Sequence, residues 1–202
     1  AARRTPTGKR EGMLSGIHPA DLSALVIEDI VSTTGIDPNL IDDVIWGCVT
    51  QAGEQTGDIA RTAALSAGLP ESVTGVTVDR QCGSSQQALH FAAAGVASGQ
   101  YDIAIAGGVE SMSRNPMFSS SMGKSPYGTK FKDRYQGDDP NQGIGAEMIA
   151  EKWGFSRTEL DEFAVRSHEL AAAATDAGAF ESQIIPVETE NGTVSVDEGI
   201  RR

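Results

Sequence analysis

The chain has 202 residues, a formal net charge of −12 at pH 7 and a pI near 4.6. This acidic balance opposes binding to nucleic acids and to anionic membranes, because both need a basic surface. No apolar run is long enough to span a membrane and no signal-peptide pattern precedes Ala1, so we expect a cytoplasmic protein. The two cysteines lie in unrelated contexts, which favours a reducing compartment over a disulfide framework.

Strand and helix patterns alternate through the first 110 residues. His18-Pro19 opens a helix with apolar residues at helical spacing, which should end near Gly35. The elements expected after it are a buried strand at 44–49, a helix at 58–67, a strand at 76–79, a helix at 84–98 and a strand at 103–106. This alternation predicts an α/β fold built from βαβ units, with a mainly parallel sheet and helices on its faces.

The second part of the chain has a different character. Residues 111–140 show no sustained periodicity, and a loop of that length inside a compact domain is usually functional or mobile. A helix is expected at 144–153, and Ser156 with Glu159 forms a capping box for a long helix that ends at Gly178. Apolar runs on either side of Asn191-Gly192 predict a small hairpin.

The position of Cys82 is the strongest chemical signal in the sequence. A β-branched run stops at this cysteine, and small residues then open an alanine-rich helix. The thiol should therefore sit on a strand-to-helix turn, where the partial positive charge of the helix N-terminus favours the thiolate. A backbone N–H at the turn could stabilise the oxyanion that forms when the thiolate attacks a carbonyl carbon. Cys48, in an apolar run, is expected to be a buried strand residue.

Several segments together resemble the thiolase family, whose members make or cleave 3-ketoacyl-CoA by acyl transfer through cysteine. The stretch around Cys82, DRQCGSSQQA, is the most specific of them. The others, in chain order, are Arg4–Gly8, Trp46–Val49, Gln51–Gln55, Ala60-Arg61, Gly107–Ser113, Gly145–Glu147 and the helix from Ser156 to Gly178. The resemblance covers nearly the whole chain. It differs at Gln142, where many members carry methionine.

The resemblance implies a thiolase-like α/β fold. This fold is the first half of a layered αβαβα arrangement, with a mainly parallel mixed sheet, helices on both faces and an inserted loop domain. We expect residues 1–110 to form the N-terminal α/β domain, without its first strand, and residues 111–202 to form an incomplete loop domain. The second half of the family pattern, with its two histidine motifs and second cysteine, is absent from the sequence. This piece alone is therefore expected to be inactive and to oligomerise, swap or have low stability.

The function implied is that of an acetyl-CoA acyltransferase in the full-length enzyme. Cys82 would take the acyl group from a 3-ketoacyl-CoA and pass it to a second coenzyme A, or run the reverse Claisen condensation. Asn141 and Gln142 would line the acyl or pantetheine channel, and their identity favours thiolysis over synthesis. Coenzyme A would be a substrate, with no cofactor and no metal. A homodimer or homotetramer is implied, with the strand at 76–79 and the connector at 51–55 near the subunit interface.

Two other functions remain open at this point. One is a non-catalytic thiolase-like protein that binds acyl-CoA or lipid, or an inactive fragment. The other is a cysteine hydrolase with an internal Cys–His pair, which requires a histidine within hydrogen-bond reach of Cys82. His18 is expected to cap a helix or to lie on the surface, and His90 should pack or form a hydrogen bond within the helix layer, roughly 12 Å along the axis from Cys82. Glu110 is either a support of the site or a carboxylate that binds backbone N–H groups in a tight turn.

Overall fold

The computed structural model describes residues 1–202, which form two compact units. Unit 1 comprises Ala1–Ser120 and Phe180–Gly199, and unit 2 comprises Ser121–Ala179 and Ile200–Arg202. These bounds differ from the boundary that the sequence placed after residue 110. The residues of the C-terminal hairpin belong to unit 1, because the side chains of Val187 and Val194 pack with Leu14.

Unit 1 contains the α/β fold that the sequence predicted. Its helices and strands are, in chain order, α1 (Pro19–Thr34), β1 (Asp43–Gly47), α2 (Ile59–Ser66), β2 (Thr74–Val78), α3 (Ser84–Ser98) and β3 (Ala104–Gly108). The three strands form a parallel sheet in the order β2-β1-β3, so that β1 is central. The mainly parallel sheet is confirmed.

The helices cover both faces of this sheet. Because successive side chains of a strand point to opposite faces, β1 contributes to two separate cores. Val44 and Trp46 pack with buried residues of α1 and α2, including Ile27 and Ile59. Ile45, which points the other way, packs with Ala88 and Ala92 of α3. The five residues of β1 are all buried, as expected for the middle strand of a parallel sheet.

Local signals set the ends of the helices. The His18 imidazole accepts a hydrogen bond from the Ala20 N–H at 3.2 Å and thereby caps α1, and Gly35 ends that helix in the left-handed conformation with a φ of 64°. Both roles were predicted. The hairpin around Asn191-Gly192 is also confirmed, as the antiparallel strands β4 (Val187–Thr189) and β5 (Gly192–Val194).

Unit 2 is helical and consists of α4 (Thr129–Arg134), α5 (Gln142–Trp153) and α6 (Arg157–Asp176). The capping box is present, with the Ser156 hydroxyl and the Glu159 carboxylate each bound to the other residue's backbone N–H. The large apolar side chains of α6 are exposed, Phe163 to 78% of its surface, and none of the residues of α6 is buried.

Helix α4 was missed by the sequence analysis, which expected only loop between residues 111 and 140. Tyr127, Phe131 and Tyr135 recur at intervals of four residues, and this spacing places aromatic rings on the same side of a helical turn. The ring centroids of Tyr127 and Phe131 lie 4.5 Å apart, and those of Phe131 and Tyr135 lie 4.7 Å apart. The spacing is visible in the sequence, but α4 has only six residues and gives too short a pattern to recognise.

Candidate active site

Cys82 lies on the turn that joins β2 to α3, as its sequence context predicted. Its side chain is exposed, and α3 begins two residues later at Ser84, with Gly83 as the N-cap. The backbone N–H groups of Cys82, Ser85 and Gln86 find no acceptor within the chain. The thiol therefore precedes the first turn of a 15-residue helix in which the Ser85 and Gln86 N–H groups are available to an anion, whereas the Ser84 N–H donates to the Gln81 carbonyl.

Polar side chains fix the conformation of this turn. Gln81 has a φ of 47°, in the left-handed region that residues with a side chain rarely adopt. Its N–H donates to the Asp79 carboxylate at 2.7 Å. The Ser84 hydroxyl accepts from the Arg80 N–H at 2.9 Å and donates to the Gln81 carbonyl at 2.6 Å. Hydrogen bonds thus hold the backbone before Cys82 and link it to Ser84, which follows Cys82.

Two glycines at the ends of the strands allow α3 to pack close to the sheet. A β-carbon at Gly47, the last residue of β1, would lie 2.3 Å from the Ser85 nitrogen and 2.4 Å from the Ser84 carbonyl carbon. A β-carbon at Gly108, the last residue of β3, would lie 2.8 Å from the Ser85 hydroxyl. All three distances are shorter than van der Waals contact, and at Gly47 both contacts are to backbone, so only glycine at position 47 permits the observed approach of the first turn.

Glu110 follows β3 and ties together the loops beyond the strands. Its carboxylate accepts from the Val49 N–H at 2.9 Å and from the Thr50 N–H at 3.3 Å. It also accepts from the Gln55 side-chain amide at 2.9 Å, and the Gln55 oxygen accepts from the Ser111 N–H at 2.8 Å. Glu110 therefore binds backbone N–H groups, as one of the two alternatives predicted, but these groups lie in the loop after β1 and not in the turn that contains Glu110. Sequence analysis missed Gln55, whose burial depends on contacts with residues more than fifty positions away.

The other cysteine differs sharply from Cys82. Cys48 is buried, with only 1% of its surface exposed, as the sequence predicted, but it follows β1 and is not part of that strand. Burial, reinforced by the nearby negative charges of Glu110 and Asp79, raises the pKa of the Cys48 thiol to about 12. The thiol therefore remains protonated near neutral pH, and its sulfur accepts a hydrogen bond from the Gln55 amide at 3.3 Å.

The histidines of unit 1 give no support to an internal Cys–His pair. His18 caps α1, and neither it nor His90 forms a hydrogen bond with Cys82. His90 is exposed on α3, so the expectation that it packs in the helix layer was wrong. His168, in unit 2, is half-buried on α6, where its ring nitrogen accepts from the Arg201 N–H at 3.2 Å.

The two predicted substrate-binding residues lie in unit 2, at the start of α5. Asn141 is the N-cap of α5, and its side-chain oxygen accepts from the Ile144 N–H at 3.1 Å. Gln142 is the first residue of α5, and both side chains are exposed. Cys82 belongs to unit 1, so the three predicted site residues are divided between the two units.

The structure contains no group of three or more histidine, cysteine, aspartate or glutamate residues placed to hold a metal ion. None of the helices has the length and apolar composition that crossing a membrane requires.

Comparison with known proteins places this arrangement in context. The family described as "Thiolase, N-terminal domain" matches residues 1–202. A steroid 3-ketoacyl-CoA thiolase, FadA6, of Mycobacterium tuberculosis is 49% identical over 208 residues, which cover 99% of this chain and 51% of that protein. A 3-ketoacyl-CoA thiolase of Photobacterium profundum is 41% identical, with 98% of this chain and 52% of that protein covered. A probable acetyl-CoA acyltransferase of Staphylococcus aureus is also 41% identical, with 100% and 54% covered. The chain therefore spans about half the length of the curated relatives it matches.

Proposed function

The chain belongs to the thiolase family, and we propose that the protein transfers acyl groups between coenzyme A thioesters with Cys82 as the nucleophile. The reaction would cleave a 3-ketoacyl-CoA to acetyl-CoA and a shortened acyl-CoA, or run as the reverse Claisen condensation. The observation that carries the proposal is an exposed thiol two residues before a helix in whose first turn the Ser85 and Gln86 N–H groups lack acceptors. The relatives named for 3-ketoacyl-CoA and acetyl-CoA support the same substrates.

The chemistry follows from this placement. The Cys82 thiolate would attack the ketone carbon next to the methylene group, forming a carbon–sulfur bond while the carbonyl electron pair moves to oxygen. The free N–H of Cys82 is our candidate donor to that oxyanion. When the carbonyl re-forms, the carbon–carbon bond breaks and acetyl-CoA leaves as a carbanion equivalent that must take a proton. A second coenzyme A thiol would then release the acyl group from Cys82.

Acyl transfer from acetyl-CoA to Cys82 tests the proposal directly. The purified full-length protein is incubated with acetyl-CoA, and its intact mass and peptide masses are measured. We expect one acetyl group, on the peptide that contains Cys82. Cys82→Ala should abolish the gain, whereas Cys48→Ala, which removes a buried thiol, should leave it. Acetyl-CoA that binds without transferring its acyl group would instead favour the non-catalytic acyl-CoA-binding alternative.

We also propose that Asn141 and Gln142 contact the acyl-CoA substrate. Their exposure at the start of α5 and the resemblance to the family's acyl channel support this role. Because Asn141 also caps α5, Asn141→Asp is the informative change: it keeps an oxygen acceptor for the Ile144 N–H and removes the amide. Both Asn141→Asp and Gln142→Ala should raise KM more than they lower kcat. An unchanged KM in both variants would contradict the role.

A homodimer or homotetramer is part of the proposal. Strand β2 is an edge strand of the sheet, and edge strands offer unpaired backbone groups to another chain. The side chain of Val76 on β2 is 43% exposed and borders an open, mainly apolar groove shared with Phe91 and Tyr101. Sedimentation velocity should show a dimer or larger species, and Val76→Lys should shift it towards monomer. A monomeric wild-type protein at micromolar concentration would refute this part.

A further inference from the structure

The turn that carries Cys82 is held by two side chains that do not belong to the proposed chemistry. We infer that Ser84 and Asp79 are positioning residues, which hold Cys82 against the N-terminus of α3 by fixing the backbone of Arg80 and Gln81. The inference rests on the proposed role of Cys82 as the nucleophile. It goes beyond that role because it identifies the contacts that keep the thiol where the helix can act on it.

Ser84 acts through both of its hydrogen-bonding functions. The residue is 5% exposed, and its hydroxyl accepts from the Arg80 N–H and donates to the Gln81 carbonyl. These two bonds close the turn around Cys82, because one partner lies two residues before the thiol and the other lies next to it. Since the hydroxyl is buried and its proton is already committed to a carbonyl, it is not free to act on a substrate.

Asp79 fixes the unusual conformation of Gln81. A left-handed residue with a side chain is unfavourable in isolation and persists only where its surroundings hold it. The Asp79 carboxylate supplies such a contact by accepting from the Gln81 N–H at 2.7 Å. Because Gln81 directly precedes Cys82, its φ of 47° decides where the next residue goes. Without this bond, Gln81 would be held only through its carbonyl, which accepts from the Ser84 hydroxyl and the Ser84 N–H, and Cys82 would be held less firmly at the helix N-terminus.

The packing of α3 against the sheet makes the position of the Cys82 thiol depend on the turn. The close contact at Gly47 fixes the first turn of α3 against the sheet, so the helix end itself cannot follow a displaced thiol. The separation between Cys82 and the free N–H groups is therefore set by the turn alone. The influence of a helix N-terminus falls off within one turn, so a small displacement is enough to weaken it.

The test is the rate at which iodoacetamide alkylates Cys82 at pH 7 in the folded protein, read from peptide masses. Ser84→Ala and Asp79→Ala remove the two bonds, and each should slow alkylation by about two- to five-fold, the range expected for losing a helix-dipole contribution. Asp79→Asn keeps an oxygen acceptor while removing the negative charge, and Ser84→Thr keeps the hydroxyl. Both should react no more slowly than wild type. Ser85→Ala is the matched control, because the Ser85 hydroxyl forms no hydrogen bond in the chain.

The outcomes separate positioning from general stabilisation. A merely structural role would lower the urea midpoint of unfolding and leave the alkylation rate of the folded state unchanged. Wild-type rates in Ser84→Ala and Asp79→Ala would therefore overturn the inference. If Ser84→Ala fails to fold, the alkylation rate of Asp79→Ala tests the inference by itself. Asp79 is exposed, so its replacement leaves no buried gap.

Failure of the proposed function gives a different result. If wild-type protein takes no acetyl group from acetyl-CoA but the two alanine variants still slow alkylation, the acyltransferase proposal fails and the positioning of Cys82 stands. If wild-type protein is acetylated and the variants alkylate at the wild-type rate, the function stands and the positioning fails. Acetylation of the slow variants should fall in proportion to their alkylation.

Discussion

Replacing Gly47 with alanine should disrupt the packing between the sheet and α3. The new methyl carbon would lie 2.3 Å from the Ser85 nitrogen and 2.4 Å from the Ser84 carbonyl carbon. Non-bonded carbon atoms prefer separations of about 3.5 Å or more, so strand and helix must move apart by roughly 1 Å. Neither side can yield by rotating a side chain, because both contacts are to backbone and Gly47 is paired with β2 and β3. We therefore expect the free energy of unfolding to fall by about 3 kcal/mol, at the upper end of the range measured for overpacked cores.

Urea unfolding with fluorescence detection measures this loss. Trp46 is buried beside Gly47 and reports on unit 1, whereas Trp153 lies in unit 2 and is replaced by phenylalanine in every variant. Gly16→Ala is the control, since a β-carbon at Gly16 meets no atom within 4 Å and its φ lies outside the left-handed region.

The same substitution should impair the proposed chemistry, because a displacement of about 1 Å at a reacting group can reduce a rate about a hundred-fold. Acetylation of Cys82 in Gly47→Ala should therefore fall well below that in Gly16→Ala. The reasoning is refuted if Gly47→Ala unfolds at the same urea concentration as Gly16→Ala. Such a result would mean that α3 and the sheet can move apart without a loss of stability.

Three further predictions concern thiol reactivity, acid stability and helix capping. Burial raises the pKa of Cys48 to about 12, so iodoacetamide at neutral pH should label Cys82 in the folded protein and label both cysteines only in urea. The hydrogen bond from Arg4 lowers the pKa of the Asp197 carboxyl. That pair therefore stabilises the fold above the carboxyl's unfolded pKa of about 3.9, and the stabilisation disappears as pH falls through the lower folded value. Asp197→Asn should accordingly flatten the acid side of a plot of unfolding free energy against pH. Ser156→Ala should destabilise α6 by about 1 kcal/mol, measured by circular dichroism during urea unfolding, and an unchanged transition would contradict the capping role.

Features encoded by neighbouring residues were accessible to sequence analysis. The helix α3 was predicted with the bounds it has, Ser84–Ser98, from the small residues that open it and its alanine-rich sequence, and in the structure Gly99 ends it in the left-handed conformation. The cap at His18 and the hairpin at Asn191-Gly192 follow the same local rules. Strand order was less accessible, since the pairing of β1 with both other strands joins residues that are far apart in sequence.

Features that depend on distant contacts could not be derived in this way. Nothing near Gly47 in the sequence indicates that the backbone of Ser84 and Ser85 lies against it. The buried amide of Gln55 is explained by Glu110 and Ser111, which come after a different strand. The return of residues 180–199 to unit 1 is a further example, because it depends on packing against the N-terminal segment, where Arg4 forms a bidentate ion pair with Asp197.

The two cysteines show how contacts between distant residues affect the reactivity of a thiol. Each follows a strand of the same sheet, and the local sequence already distinguishes the apolar run of Cys48 from the strand-to-helix turn of Cys82. Cys48 continues the central strand and is covered by the layer that contains α1 and α2, where burial keeps its thiol protonated. Cys82 lies beyond the edge strand, and the left-handed Gln81 turns the chain before the thiol is reached. The Cys82 side chain is exposed at this turn. The reactivity proposed for Cys82 thus depends on turn geometry as well as on residue type, and a change in the turn should lower that reactivity while the cysteine itself remains.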